Sequence, residues 1–98
     1  MAASNSPTLV SSEKTVSVSG TAEALSSSQR VKSVTIIAKS GNTGQVYVGG
    51  SDVATTTNDG LDSGDAIEIN AENWMDLADI YLDVDTNGEG VDYYGVKA

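Results

Sequence analysis

The chain reads as all-β: a single compact antiparallel β-sandwich or jelly roll with a flexible N-terminal arm. Three observations point there. Short runs alternate apolar with polar residues, as in Thr15-Val-Ser-Val18 and Ala66-Ile-Glu-Ile-Asn70. Turn signals built on Gly, Asn, Asp and Ser recur roughly every 8–12 residues, the spacing of sandwiches and barrels. No amphipathic helix separates the runs, as a βαβ unit would require. The 98 residues make one domain, expected over 15–98, with residues 1–14 as the arm because Met1-Ala-Ala-Ser-Asn-Ser-Pro-Thr8 is small, polar and aperiodic.

In order, residues 15–18 alternate strictly before Gly20, and residues 31–39 place Val34, Ile36 and Ala38 on one face, with Ile37 breaking towards burial on both sides. Ser40-Gly-Asn-Thr-Gly44 is a turn cluster ahead of Gln45-Val-Tyr-Val-Gly49, so the two runs are expected to form a β-hairpin. Residues 52–57, rich in Thr, are a further short strand, followed by turns at Asn58-Asp-Gly60 and Ser63-Gly-Asp65. After the strand at 66–70, residues 71–79 are the one place for a helix of one or two turns. There Asn70 is an N-cap, and Trp74, Leu77 and Ala78 share a face. Residues 79–85 put Ile80, Leu82 and Val84 inward, and Tyr81, Asp83 and Asp85 outward; Asn87-Gly88 then turns the chain into a closing strand at 91–97.

Composition excludes several function classes. The chain has no Cys and no His, hence no disulfide, no thiolate or imidazole metal ligand, and no Ser-His or Cys-His nucleophile pair. An enzyme is not expected, and neither a catalytic residue, a cofactor nor a dedicated metal site is assigned. The net charge of −9 is uneven. Residues 1–39 hold Lys14, Arg30, Lys32 and Lys39 against Glu13 and Glu23, whereas residues 40–98 hold twelve carboxylates against Lys97. Such acidity repels phosphate backbones and anionic bilayers, so neither nucleic acid nor membrane is an expected partner. The acidity itself is a solubility device, or it leaves the less acidic N-terminal third to face a partner. Residues 1–12 lack a basic segment followed by an apolar run, and no stretch reaches the roughly 18 apolar residues of a spanning helix, so a soluble protein made in the cytoplasm is expected. A core this modest, without disulfides, favours assembly into a homo-oligomer.

Three features invite chemistry. Asp83-Val-Asp85-Thr-Asn87-Gly88-Glu-Gly90-Val-Asp92 copies the first half of a calcium loop, but Tyr94 stands where the bidentate Glu belongs. It is read as an acidic hairpin, with a weak divalent site as the alternative. Asp59, Asp62, Asp65 and Glu68 resemble a glycosidase carboxylate set only in number, and are read as solvated turn and strand charges. Trp74, beside Met75, is read as core or as a cover over a sheet end, against an interface anchor; Tyr47, Tyr81, Tyr93 and Tyr94 face the same choice, with Tyr47 and Tyr81 on outward faces.

Beyond these residues, the run Val34-Thr-Ile-Ile37, then Asn42-Thr-Gly44, Val46-Tyr-Val-Gly-Gly-Ser-Asp-Val53, Gly60-Leu61, Ser63-Gly-Asp65, Ala66-Ile-Glu-Ile69, Asp76-Leu77 and Ile80-Tyr-Leu82 resembles small structural proteins of tailed-bacteriophage virions. The most specific piece is residues 46–53; Ser63-Gly64 departs from the Pro-Gly often found before that next strand, and a type II turn tolerates the change. The resemblance implies a β-sandwich or jelly roll used as a capsid decoration (cement) protein on the outer head surface. There it would bind the major capsid protein, commonly as a trimer; the composition of residues 1–12 and the lower acidity of the N-terminal third make that segment the one expected to order on the shell. A tail or fibre accessory, or a host-surface glycan-binding module, is the alternative.

Overall fold

The computed structural model describes residues 8–98. Its strands, in chain order, are β1 (Leu9–Thr15), β2 (Glu23–Ala24), β3 (Arg30–Ala38), β4 (Val46–Gly49), β5 (Ala66–Asp76), β6 (Tyr81–Val84) and β7 (Gly90–Lys97), with a 3₁₀ turn at Leu77–Asp79. They pair antiparallel into a four-stranded sheet, β1-β7-β3-β5, and a three-stranded sheet, β2-β6-β4. The protein is thus an all-β, two-sheet sandwich. Alternation fills its interior as the pattern requires: Val34, Ile36 and Ala38 of β3, Val91 and Tyr93 of β7, and Leu82 and Val84 of β6 are buried in one cluster with Val16, Leu25 and Leu77.

The expected arm is the first correction. Its residues from Leu9 onward form β1, a full-length edge strand whose partners run from Leu9↔Val96 to Thr15↔Gly90. Residues 1–7 of that arm lie outside the described residues. Polar Ser12 and Lys14 take the positions facing the other sheet, and Lys14 is satisfied by Glu23 of β2 at 2.9 Å. That polar filling is why the segment lacks an apolar rhythm. The alternating residues 15–18 are not a separate strand: β1 ends at Thr15, and Val16 enters the core from the loop that follows.

Both expected hairpins are arches instead. β3 lies in the four-stranded sheet and β4 in the three-stranded one, and β6 and β7 are divided the same way, so each turn cluster carries the chain between sheets. Alternation and turn composition are identical in a hairpin and an arch; only the burial of both strands' inner faces selects the arch. Residues 52–57 form turns, with Val53 N–H donating to the Gly50 carbonyl at 3.0 Å, rather than a strand.

The expected helix at 71–79 is replaced by the second half of β5 and one 3₁₀ turn. β3 offers ladder partners along this whole stretch, from Ile37↔Ala66 to Arg30↔Asp76, and the pairing outweighs the three-and-four spacing of Trp74, Leu77 and Ala78. Four residues, 71–74, stand opposite Lys32 alone, a wide bulge between Ser33↔Asn70 and Val31↔Met75. Asn70 caps nothing. Asp76 is the cap, accepting from Ala78 N–H, and also from Gln29 N–H at 2.9 Å and the Ser28 hydroxyl at 2.6 Å.

Candidate interaction surface

The calcium-like run 83–92 lies at the end of the sandwich where three loops meet, and its oxygens are already engaged. Glu89 accepts from Gly44 N–H at 3.0 Å and Thr43 N–H at 2.8 Å; Asp85 accepts from Gln45 N–H and the Tyr47 hydroxyl, both at 3.0 Å. Asn87 accepts from Ser19 N–H at 2.7 Å, and Asp83 from Gly20 N–H at 2.9 Å and Val84 N–H at 2.8 Å. Asp83, expected to face outward, is only 1% exposed, which these bonds make tolerable. The run therefore stitches the β1–β2 and β3–β4 connections to the β6–β7 arch. Among the described residues no three His, Cys, Asp or Glu side chains gather in a metal-binding arrangement.

Three carboxylates held by such bonds have lowered pKa values. The Gly44 and Thr43 amides hold Glu89 below its usual 4.5. The Ser28 hydroxyl, followed by the Ala78 and Gln29 amides, does the same for Asp76 against its usual 3.8. Lys14 and the Ser17 amide lower Glu23. A carboxylate whose folded pKa is depressed stabilises the fold fully above its unfolded pKa and loses that contribution as pH falls through the folded value. Stability is expected to hold down to about pH 5 and then decline through pH 4 and below, in thermal melts at constant ionic strength. Glu89→Gln, which keeps the shape but places an amide NH₂ where an acceptor is needed, should lower the melting temperature at pH 7 and flatten that acid slope; an unchanged slope would remove Glu89 from the latch.

The other predicted site residues do not converge. Asp62 accepts from Gln45 Nε2 at 2.9 Å, Asp65 from Asp62 N–H at 3.2 Å, and Glu68 of β5 stands opposite Thr35 of β3. Tyr47, expected outward, is buried; Gly60 crosses its ring so closely that an added Cβ would lie 2.9 Å from Cε2. Burial, then the bond to Asp85, raises its hydroxyl pKa. Residues 46–53 thus have a folding role: Val46 and Tyr47 enter the core, and Val53 tucks back over Gly49. Tyr93 is buried and Tyr81 half-buried.

What the structure does expose together is the outer face of the four-stranded sheet. By register its rows read Leu9, Val96, Ser33, Asn70; then Ser11, Tyr94, Thr35, Glu68; then Glu13, Asp92, Ile37, Ala66. Leu9 is 72% and Tyr94 53% exposed, and at the Leu9 end of the sheet Trp74 is 48% exposed with the Arg30 guanidinium 4.0 Å from its ring centroid. Trp74, expected in the core, is brought outside by the β5 bulge. Lys39 bridges Glu13 and Asp92, the latter at 2.8 Å, and those hydrogen bonds, Asp92 first, raise its pKa. Shallow depressions flank this ion triad, one lined by Ser11, Ser12, Glu13, Asp92 and Tyr94. Leu9 and the Arg30–Trp74 stack escaped the sequence reading, and residues 9–15 carry no apolar rhythm that would mark Leu9.

Comparison of the chain with protein-family models, curated proteins and solved structures gives no match. The functional reading therefore rests on this geometry and on the residue resemblance described above.

Proposed function

We propose that the protein is a structural component of a tailed-bacteriophage virion, a capsid decoration (cement) protein that binds the major capsid protein on the outer surface of the head. The observation that carries a binding role is the open outer face of the four-stranded sheet, where Leu9, Tyr94 and the Arg30–Trp74 stack stand over a flat floor of Ser11, Ser33 and Thr35. Tyr, Trp and Arg are the residue types that dominate binding energy when desolvated at the centre of an interface. The placement on a capsid rests on residues 46–53 and their flanking strands. Mechanically, such a protein adds buried area across joints between coat subunits, so internal pressure must break more contacts. A homotrimer would convert its second and third contacts into high effective concentration events, suiting many weak sites.

The test is co-sedimentation of the full chain with empty phage shells, with its mass measured by light scattering. The wild type should pellet at a fixed ratio to the coat protein, and Tyr94→Ser combined with Trp74→Ala should weaken binding roughly tenfold or more while leaving the far-UV spectrum unchanged. Undiminished pelleting of the double variant would reject this face. Deletion belongs at residues 1–7, because removing residues 1–12 also strips half of β1 from the sheet. The glycan-binding alternative needs a row of exposed aromatics, and with Tyr47 and Tyr93 buried this face offers Tyr94 and Trp74.

A further inference from the structure

The two edges of the four-stranded sheet are not equivalent. On β1 the inward Lys14 is paired with Glu23, and the outward Glu13 with Lys39, so the strand's charges are spent within the fold. β5 is different. The Ala38 N–H donates to the Asp65 carbonyl at 2.9 Å, which sets the phase of the ladder. In that phase Ile67 and Ile69 exchange bonds with β3, while Ala66, Glu68 and Asn70 turn their N–H and C=O groups to the open side. Those three backbone positions have no hydrogen-bond partner among the described residues. This is an unpaired strand edge, five regular residues long before the bulge begins at residue 71.

Two further features say what fits there. On the inward side of β5, Ile67 is 37% exposed and Ile69 half-buried, where the three-stranded sheet stops short of covering them. On the other side Glu68 is exposed, with Glu72 exposed in the bulge, and the ion pairs of the described residues all lie elsewhere. No Lys or Arg occurs anywhere from residue 40 to residue 96. The edge is therefore apolar on one face and negative on the other, where Glu68 has no ion pair among the described residues.

The geometry points to β5 as a docking edge for an extended segment of another protein in which apolar and basic residues alternate. The segment would add a fifth strand, its backbone bonding to Ala66, Glu68 and Asn70, its apolar side chains covering Ile67 and Ile69, and its Lys or Arg side chains meeting Glu68. Because a strand's side chains alternate between faces, a period of two is the only pattern that satisfies both sides at once. The inference does not depend on the capsid reading, since it requires only a basic strand from any source.

The test is a ¹⁵N NMR titration of the full chain with a capped synthetic heptapeptide, Lys-Val-Lys-Val-Lys-Val-Lys. Controls are the same peptide with Glu for Lys and one N-methylated on alternate residues. Saturable shifts are expected at the Ala66, Glu68 and Asn70 amides, with binding by the Glu peptide at least tenfold weaker and by the N-methylated peptide lost. Ala66→Pro removes one outward N–H without touching the β3 ladder, and Glu68→Lys reverses the charge at an exposed position; each should weaken binding roughly fivefold or more. Where Ala66→Pro fails to fold, Glu68→Lys carries the test. Equal affinity for the Lys and Glu peptides, shifts confined to β1, no shift at millimolar peptide, or β5 amides already paired with a second copy in a dimer would each overturn the proposal.

Discussion

Gly90→Ala is expected to be among the most damaging single substitutions in this protein, lowering stability by about 3 kcal/mol or preventing folding outright. Gly90 opens β7 where it passes directly beside Thr15 of β1. An added Cβ would overlap the Lys14 carbonyl oxygen and lie 2.7 Å from Thr15 Cα. Both are backbone atoms, so no side-chain rotation relieves the clash. Nor can β7 retreat cheaply: the Gly90 carbonyl accepts from Lys39 N–H at 3.1 Å and Asn42 Nδ2 at 2.9 Å, which tie the two arches together. Urea unfolding gives the measurement. Gly41→Ala serves as the control, since an added Cβ there meets nothing within 4 Å, and its midpoint should stay near that of the parent. Matching midpoints for the two variants would mean that β1 does not pack against β7 as described.

Leu82→Ala is expected to cost about 3 kcal/mol, within the range of large-to-small changes at fully buried leucines. Leu82 sits on the central strand of the three-stranded sheet, with Glu23 of β2 on one side and Val48 of β4 on the other, and is inaccessible to solvent. That sheet is small, one of its strands being two residues long, so little surrounding structure is available to collapse into the cavity. Domains of this size hold only about 5–15 kcal/mol in total, and the loss should appear as a clear drop in both melting temperature and urea midpoint. Leu9→Ala, at an exposed outer-face position, should by contrast change stability by less than about 0.5 kcal/mol. A Leu82→Ala protein as stable as Leu9→Ala would contradict the assignment of Leu82 to the core.

These expectations separate two kinds of glycine and two kinds of leucine that look alike in the sequence. Gly88 sits in a turn with φ +84°, as the Asn-Gly signal implies, and its conformational role was legible. Gly90 is required for a close approach between strands far apart in the chain, which no local pattern announces. The candidate surface divides the same way. Tyr94 is recognisable as one of an adjacent tyrosine pair on a strand, where alternation demands that one member face outward. Trp74 is not: its spacing from Leu77 and Ala78 reads as a helical apolar face, and only pairing with β3 converts the segment to a bulged strand that turns the ring out beneath Arg30.

The sequence alone determined the class: alternating runs between regular turn signals, with no cysteine, histidine or long amphipathic segment, lead to an all-β sandwich whose core contains Val34, Ile36, Ala38, Leu82 and Val84. Side-chain period is a local property, set by backbone geometry over a few residues, and so it survives in a linear reading. Which strand lies in which sheet, and therefore whether a turn closes a hairpin or an arch, was decided by tertiary structure. So was the capture of Asp85 and Glu89 by neighbouring amides, and the admission of the mostly polar residues 9–15 as an edge strand. Each depends on partners far away in the chain, as Glu89 on Gly44 and Leu9 on Val96, and pairing free energy of that kind leaves no periodic mark at either end.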